Sequence, residues 1–471
     1  MGTDLATQSR VIDHSRRKPW ATRRSLVLTS TAKGATIGGA DRCWSQDGAV
    51  FAEAMSLPGM KKNCRIALTF ELLAKDKMPT NMVTFPIGQC NQPIFLSTHL
   101  EKNSPIILGR NIESKLVGEL SQHHFDRIFF FTEPHLFDLI ASNLYTTLSQ
   151  HFDCILELIP PGEGSKGFVM LEEICEKLIS QGASKRSLLI SFGGGVVGNI
   201  VGLAAGLVYR GIRYIEIPTT MTAQTDSTLS NKQAVNGRQG KNHFGLYHAP
   251  ILIWTDTNYL TTEPPVSRRC GIIEAIKNGF IDDASFLDEL DRLLRPDVCF
   301  DAEELHELVY KIIQSKLRIL KTDPSEKHRG IILEYGHTFG HGLEWLLHGS
   351  LTHGEAVSFG MKLAAKLSQR LSLIDQDAVD LHWHLIENKL GFVNPFPANI
   401  SAENLMEAMV TDNKKTGREL RFVLLDGLGS CHNPEGDFLT TVDAAIVVDV
   451  IREFITAESQ RPRPLAVPTA L

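Results

Sequence analysis

The chain of 471 residues is 43% hydrophobic and 22% charged, which excludes a disordered or collagen-like polymer and leaves room for two or more domains. Lys plus Arg number 48 against 54 Asp plus Glu, a net charge of -6 and the wrong sign for wholesale nucleic-acid binding. The 8 cysteines are scattered with no C-x-x-C pair, so they read as reduced thiols of a cytoplasmic protein, not as a disulfide framework.

Residues 1–80 differ from the rest. Their early part, SRRKPWATRRSLVLTSTAKGA, is basic and Ser/Thr-rich, with no sustained period. That composition suits a targeting peptide, but Asp4, Asp13 and the lack of an apolar core segment count against one. The expectation is a poorly ordered extension. Over 81–258 the short apolar runs PIILG, RIFFFTE, CILELIP, SLLISFGGG and YIEIPTT alternate with helical stretches such as GFVMLEEICEKLISQGA, which predicts a mostly parallel α/β domain. Ser187 to Val208 is the one segment apolar enough to suggest a membrane span, yet it holds three consecutive glycines and Asn199. It reads better as a buried strand, a glycine turn and a buried helix, so no membrane is expected. Over 259–458 strands nearly vanish, and amphipathic stretches such as AEELHELVYKIIQSKLRIL predict an all-α domain. The Pro-rich end, 459–471, reads as a flexible tail. A cleft between an α/β half and an α half is a usual place for a site.

Four motifs carry possible chemistry. Gly193 to Gly198 fits G-x-G-x-x-G between a strand and a helix, where glycines let a pyrophosphate approach the helix N-terminus. A tight strand–helix turn needs glycines anyway. The run PTTMTAQTDSTLSNKQAVNGRQGKNHFG is crowded with polar groups and is either a solvated loop or a phosphate-binding site. Glu274, Lys277 and Asn278 share a helical face at i, i+3, i+4, as a buried chemical pair or as a surface ion pair. EYGHTFGHGLEWLLHGSLTHGEAVSFG puts His337 and His341 one helical turn apart, with His353 after a short loop. Spacing alone would make His337 and His341 both ligands of a divalent ion.

Taken in order, GGGVVGN, the Arg-Gly before YIEIPTT, DSTLSNKQAVN, GKNHFG, the glutamate of IIEAIKN, GHTFGH and THGEA resemble the sugar phosphate cyclases, the superfamily of dehydroquinate synthase. The resemblance covers roughly Ile106 to Phe454. It implies an N-terminal NAD-binding α/β domain, an all-α C-terminal metal-binding domain, a small-molecule sugar phosphate as partner and a homodimer. By position it implies Glu274, His337 and His353 as ligands of one zinc or cobalt ion, and makes His341 an active-site residue instead of a ligand. It places Lys232, Glu326, Glu334, His341 and Lys277 in catalysis, and Asp226, Asn242, Lys316, Lys414 and Arg210 at the substrate, the last reaching the neighbouring subunit. Glu163, Lys166, Gly194, Gly195, Thr219 and Thr220 fall on NAD positions.

Two departures from dehydroquinate synthase bear on substrate. Where that enzyme reads L-R-x-L-L-N-F-G-H, this chain reads GIILEYGH, with Gly330 for the arginine and Glu334 for the asparagine. A glutamate repels a substrate carboxylate, and the lost arginine removes a bidentate clamp. Asn199 also stands in place of an aspartate. The pattern therefore resembles the branch that converts D-glucose 6-phosphate to 2-deoxy-scyllo-inosose. In that reaction NAD+ transiently oxidises the sugar, phosphate leaves, the hydride returns and an intramolecular aldol closes the ring. The rival expectations are cyclisation of sedoheptulose 7-phosphate or of the dehydroquinate synthase substrate, an NAD- and metal-dependent alcohol dehydrogenase, and a silent paralogue.

Overall fold

The computed structural model describes residues 104–461 except 239, 348–349 and 414–419, with only the helical backbone of 411–413. Nearer the N-terminus it describes two antiparallel strand pairs, Leu28–Thr31 with Gly34–Ile37 and Val50–Phe51 with Thr69–Phe70. Lys414, the remainder of the N-terminal extension and the tail beyond 461 lie outside the described residues.

The unit that begins at Lys102 opens with the strands β1 (Ile106–Gly109), β2 (Ile128–Thr132), β3 (Cys154–Leu158), β4 (Leu188–Gly193) and β5 (Arg213–Pro218). A hairpin, β6 (Lys232–Gly237) and β7 (Gly240–Tyr247), and a last strand, β8 (Leu252–Asp256), follow. The sheet order is β1-β8-β5-β4-β2-β3, parallel throughout. Strands β2 and β4 are buried along their whole length, as expected of a parallel sheet covered on both faces. The segment weighed as a membrane span is β4, a glycine turn and the helix α1 (Gly195–Leu207). Among the described residues no helix is long and apolar enough to cross a membrane.

The hairpin was not among the expected strands. Its β7 is largely exposed and its ladder is broken by a bulge between Val235 and Gly237, so its polar residues imitate a loop in sequence. Gln233 fits under α1, where a Cβ on Gly202 would meet its side chain at 2.5 Å.

After β8 the chain is mainly helical. The helices that matter below are α2 (Pro265–Asp282), α3 (Ala302–Leu320), α4 (His337–Leu347), α5 (His353–Arg370), α6 (Ala402–Asn413) and α7 (Ala444–Gln460). Ile272, Ile276, Ile312, Phe339, Val357 and Met361 belong to one buried apolar cluster that joins α2, α3, α4 and α5. Two small strand pairs, Arg421–Phe422 with Thr440–Thr441 and Leu425–Gly427 with Ser430–Cys431, complete this half. Helix α7 runs through Gln460, into the segment read as tail.

Candidate active site

Helix α2 presents Glu274 and Lys277 one turn apart, each 2% exposed, so the surface-pair reading falls away. Their side chains form an ion pair through Glu274 Oε2. Burial alone would raise the Glu274 carboxyl, but Lys277 and the nearby histidines outweigh it and hold it well below the usual range. Glu274 Oε1 is buried without a hydrogen-bond donor. Two imidazoles face that oxygen: His337 Nε2 at 3.7 Å and His353 Nε2 at 3.5 Å.

Local sequence explains why both rings point there. Thr352 and Glu355 form a capping box that starts α5 at His353, with Thr352 N donating to Glu355 Oε2 at 2.8 Å. His337 opens α4, and its Nδ1 lies 3.1 Å from the Tyr335 carbonyl oxygen. Burial, then Lys277, push His337 down to about 4, leaving a neutral ring. For His353 burial acts downward, but the facing carboxylates of Glu274 and Glu344 lift it to about 10. One donor atom from each of Glu274, His337 and His353 falls within 4.8 Å of the others. A carboxylate and two imidazoles around an unsatisfied buried oxygen fit a borderline divalent ion such as zinc or cobalt. His341 stands beside this group, its ring centroid 5.4 Å from His337 and 6.4 Å from His353.

Around the cluster lysines alternate with carboxylates. Lys232 is paired with Glu326, and Lys316 with Asp226, partners 94 and 90 residues apart in sequence. Burial lowers the Lys316 amine, but Asp226 and then Glu326 and Glu274 raise it, so it stays charged. Burial raises Glu334, while His337, His341, Lys232 and Lys277 together lower it, so the carboxylate sits amid four cationic or imidazole groups. Such a site attracts a phosphate and can exchange protons with hydroxyls. Glu326 holds a left-handed φ of 52°, on a loop tied by Asp323 Oδ2, which accepts from His328 N at 2.7 Å and Gly330 N at 2.9 Å. A side chain at Gly330 would press on Asp323 Oδ2 and Glu326 Cγ, each at 3.0 Å from its Cβ.

On the sheet side, register does the positioning. Gly193 pairs with Pro218 at the ends of β4 and β5, which sets Gly194 and Gly195 beside Thr219 and Thr220. Helix α1 starts at Gly195 with no side-chain cap, leaving its first amides for a ligand. A Cβ on Gly194 would lie 3.3 Å from Thr220 Cγ2, and the buried Thr219 Oγ1 has no hydrogen-bond partner. These features suit a dinucleotide pyrophosphate. Glu163 and Lys166 sit on a separate loop stitched to the hairpin. Asn236 Nδ2 donates to Glu163 Oε1 at 2.8 Å, Lys166 Nζ donates to Asn242 Oδ1, and Asn236 N donates to the Lys166 carbonyl at 2.8 Å. Arg210 is exposed just past the far end of α1, about 20 Å of helix away from the glycine turn.

One residue in this region, Glu344, has no role in the sequence reading, and Lys241 figures there only in the polar run weighed as a solvated loop or a phosphate-binding site. Glu344, on α4 one turn beyond His341, and Lys241, on β7, form an ion pair of 2.7 Å that reaches His353. The 337, 341, 344 spacing on one helical face was the available signal.

Comparison with known proteins gives the class. The model of the 3-dehydroquinate synthase N-terminal domain matches residues 156–269, and that of its C-terminal domain matches 271–415. The 2-deoxy-scyllo-inosose synthase of Streptomyces kanamyceticus is 34% identical over 372 residues, 78% of this chain and 94% of the relative. The 3-dehydroquinate synthase of Thermoanaerobacter pseudethanolicus is 33% identical over 356 residues, covering 75% and 98%. A crystal structure of 2-deoxy-scyllo-inosose synthase complexed with carbaglucose-6-phosphate, NAD+ and Co2+ superposes with a TM-score of 0.69 at 30% identity, covering 74% of this chain and 96% of the other. The chain belongs to the 3-dehydroquinate synthase family, with its parallel-sheet N-terminal part and helical C-terminal part.

Proposed function

We propose that this protein is a sugar phosphate cyclase that converts D-glucose 6-phosphate to 2-deoxy-scyllo-inosose and releases phosphate. The observation that carries the reading is Glu334 among His337, His341, Lys232 and Lys277, with Gly330 in place of a carboxylate-clamping arginine. Relatives named 2-deoxy-scyllo-inosose synthase, one solved with a glucose 6-phosphate analogue, NAD+ and Co2+, support it.

Glu274, His337 and His353 hold the divalent ion, and Glu163, Lys166, Gly194, Gly195, Thr219 and Thr220 hold NAD+. When bound, NAD+ supplies a temporary hydride acceptor and the metal a Lewis acid. Lys232, paired with Glu326, and Lys316, paired with Asp226, bind the phosphate and ease its departure with Asn242. Glu334 accepts hydrogen bonds from sugar hydroxyls, and Lys277 balances the charge of Glu274. His341, next to His337, moves a proton or contacts the phosphate. Lys414 joins the substrate residues by its place in the motif order alone, and Arg210 serves the neighbouring subunit of a homodimer. Exposed Phe168, Val169, Leu207, Phe244 and Tyr247 support self-association. The free thiols Cys154, Cys175, Cys270, Cys299 and Cys431 accord with a reducing cytoplasm.

Phosphate release by purified protein with NAD+ and Co2+ tests the reading. Glucose 6-phosphate is expected to release phosphate without net NADH. Release only from sedoheptulose 7-phosphate or the dehydroquinate synthase substrate replaces the substrate, and net NADH without phosphate makes the protein a dehydrogenase. The cofactor cradle has its own check. Gly194→Val crowds Thr220 and is expected to weaken NAD+ binding about tenfold or more, which ~1.4 kcal/mol suffices to do. Titration of NAD+ by calorimetry reads it, and wild-type affinity would remove Gly194 from the cofactor contacts.

A further inference from the structure

A chain of polar contacts crosses from the sheet half to the metal cluster through Lys241 and Glu344, neither of which is assigned to the metal, the substrate or NAD+. Lys241 Nζ, on β7, donates to Glu344 Oε1 at 2.7 Å. The other oxygen, Glu344 Oε2, lies 3.2 Å from His353 Nδ1, and His353 Nε2 faces Glu274 Oε1 at 3.5 Å. A carboxylate only accepts, so Glu344 holds a proton on Nδ1, and Nε2, on the Glu274 side, is the nitrogen that gives up its proton when a metal binds. His337 is oriented in the same sense, by the Tyr335 carbonyl oxygen on its Nδ1. Imidazoles that bind metals are commonly fixed in this way, and losing the fixing partner typically costs metal affinity.

Glu344 is 8% exposed and gripped from opposite sides, one oxygen by each partner, so its carboxylate has little freedom to swing. Its anchor comes from a different part of the fold. Lys241 directly precedes Asn242, which accepts from Lys166 on the loop assigned to NAD+. The hairpin thus touches the cofactor-side loop with one residue and the metal-side helix with the next.

We propose that Glu344 is the positioning residue of His353 and that Lys241 anchors it from the hairpin, so that metal retention depends on how β6 and β7 are seated. This assignment rests on the metal reading above. A merely structural ion network would behave differently. Its loss would lower the melting temperature and leave the affinity of the folded protein for metal unchanged.

The test is cobalt affinity of the full chain, measured by competition with a chromophoric chelator and independent of turnover, with circular dichroism to confirm folding. Glu344→Gln keeps the shape and is expected to weaken cobalt binding by about 10–100-fold. Lys241→Met is expected to weaken it in the same direction by less. The double variant is expected to be no worse than Glu344→Gln, because the lysine acts through the glutamate. A Glu344→Gln protein that binds cobalt as wild type does overturns the proposal. Should that variant fail to fold, Lys241→Met decides, since it leaves the buried Glu344–His353 contact in place; unchanged affinity overturns the proposal. Wild-type protein that binds no cobalt is a distinct result, and it removes the metal reading itself.

Discussion

Glu274→Gln is expected to strip the protein of its metal, with affinity down by at least about 100-fold, and to abolish phosphate release. The amide preserves the shape of the side chain but removes the only anionic member of the cluster formed with His337 and His353. It also leaves Lys277 without its ion-pair partner, both side chains being 3% exposed. An unpaired buried charge costs about 3–5 kcal/mol, so the melting temperature should fall as well. The two effects separate in the double variant Glu274→Gln, Lys277→Met. That protein should recover much of the lost stability and still fail to retain metal after gel filtration, as read by elemental analysis. A single variant that keeps its metal would exclude Glu274 from the ligand set.

Gly360→Ala is expected to damage both packing and site. A Cβ at Gly360 would stand 2.0 Å from the Gly336 carbonyl oxygen and 3.0 Å from Gly340 N, which are backbone atoms that no rotamer change can move. Gly336 itself holds a left-handed φ of 78° between Tyr335 and His337. Relief therefore requires α5 to back away from the start of α4, which carries His337. Overpacking of this kind costs about 1–3 kcal/mol, and the shift takes His337 away from Glu274. A melting curve and a cobalt titration of the variant check both consequences. Wild-type values in both would mean that α4 and α5 are less closely set than their glycines indicate.

Local pattern and long-range geometry divided the labour along identifiable lines. The strands from Ile106 to Pro218, the glycine turn before α1 and the amphipathic helices after Tyr259 are legible because each is written in consecutive residues, as apolar runs, glycines or a helical period. The capping box that begins α5 at His353 is equally local. The hairpin was missed because strands that carry Lys232, Asn236, Lys241 and Asn242 look like a solvated loop when burial is unknown. For the same reason Glu274–Lys277 was open to reading as a surface pair, and only the packing of α2 among α3, α4 and α5 makes it a buried one. The pairs Lys232–Glu326, Lys316–Asp226 and Lys241–Glu344 bridge 94, 90 and 103 residues, separations that no periodicity encodes. Apart from the hairpin, consecutive residues were enough to place the main strands and helices and to supply the residue types available for chemistry. Which carboxylate meets which amine or imidazole was decided by tertiary structure, because partners 90 or more residues apart are brought together by the packing of separate elements and not by any local period.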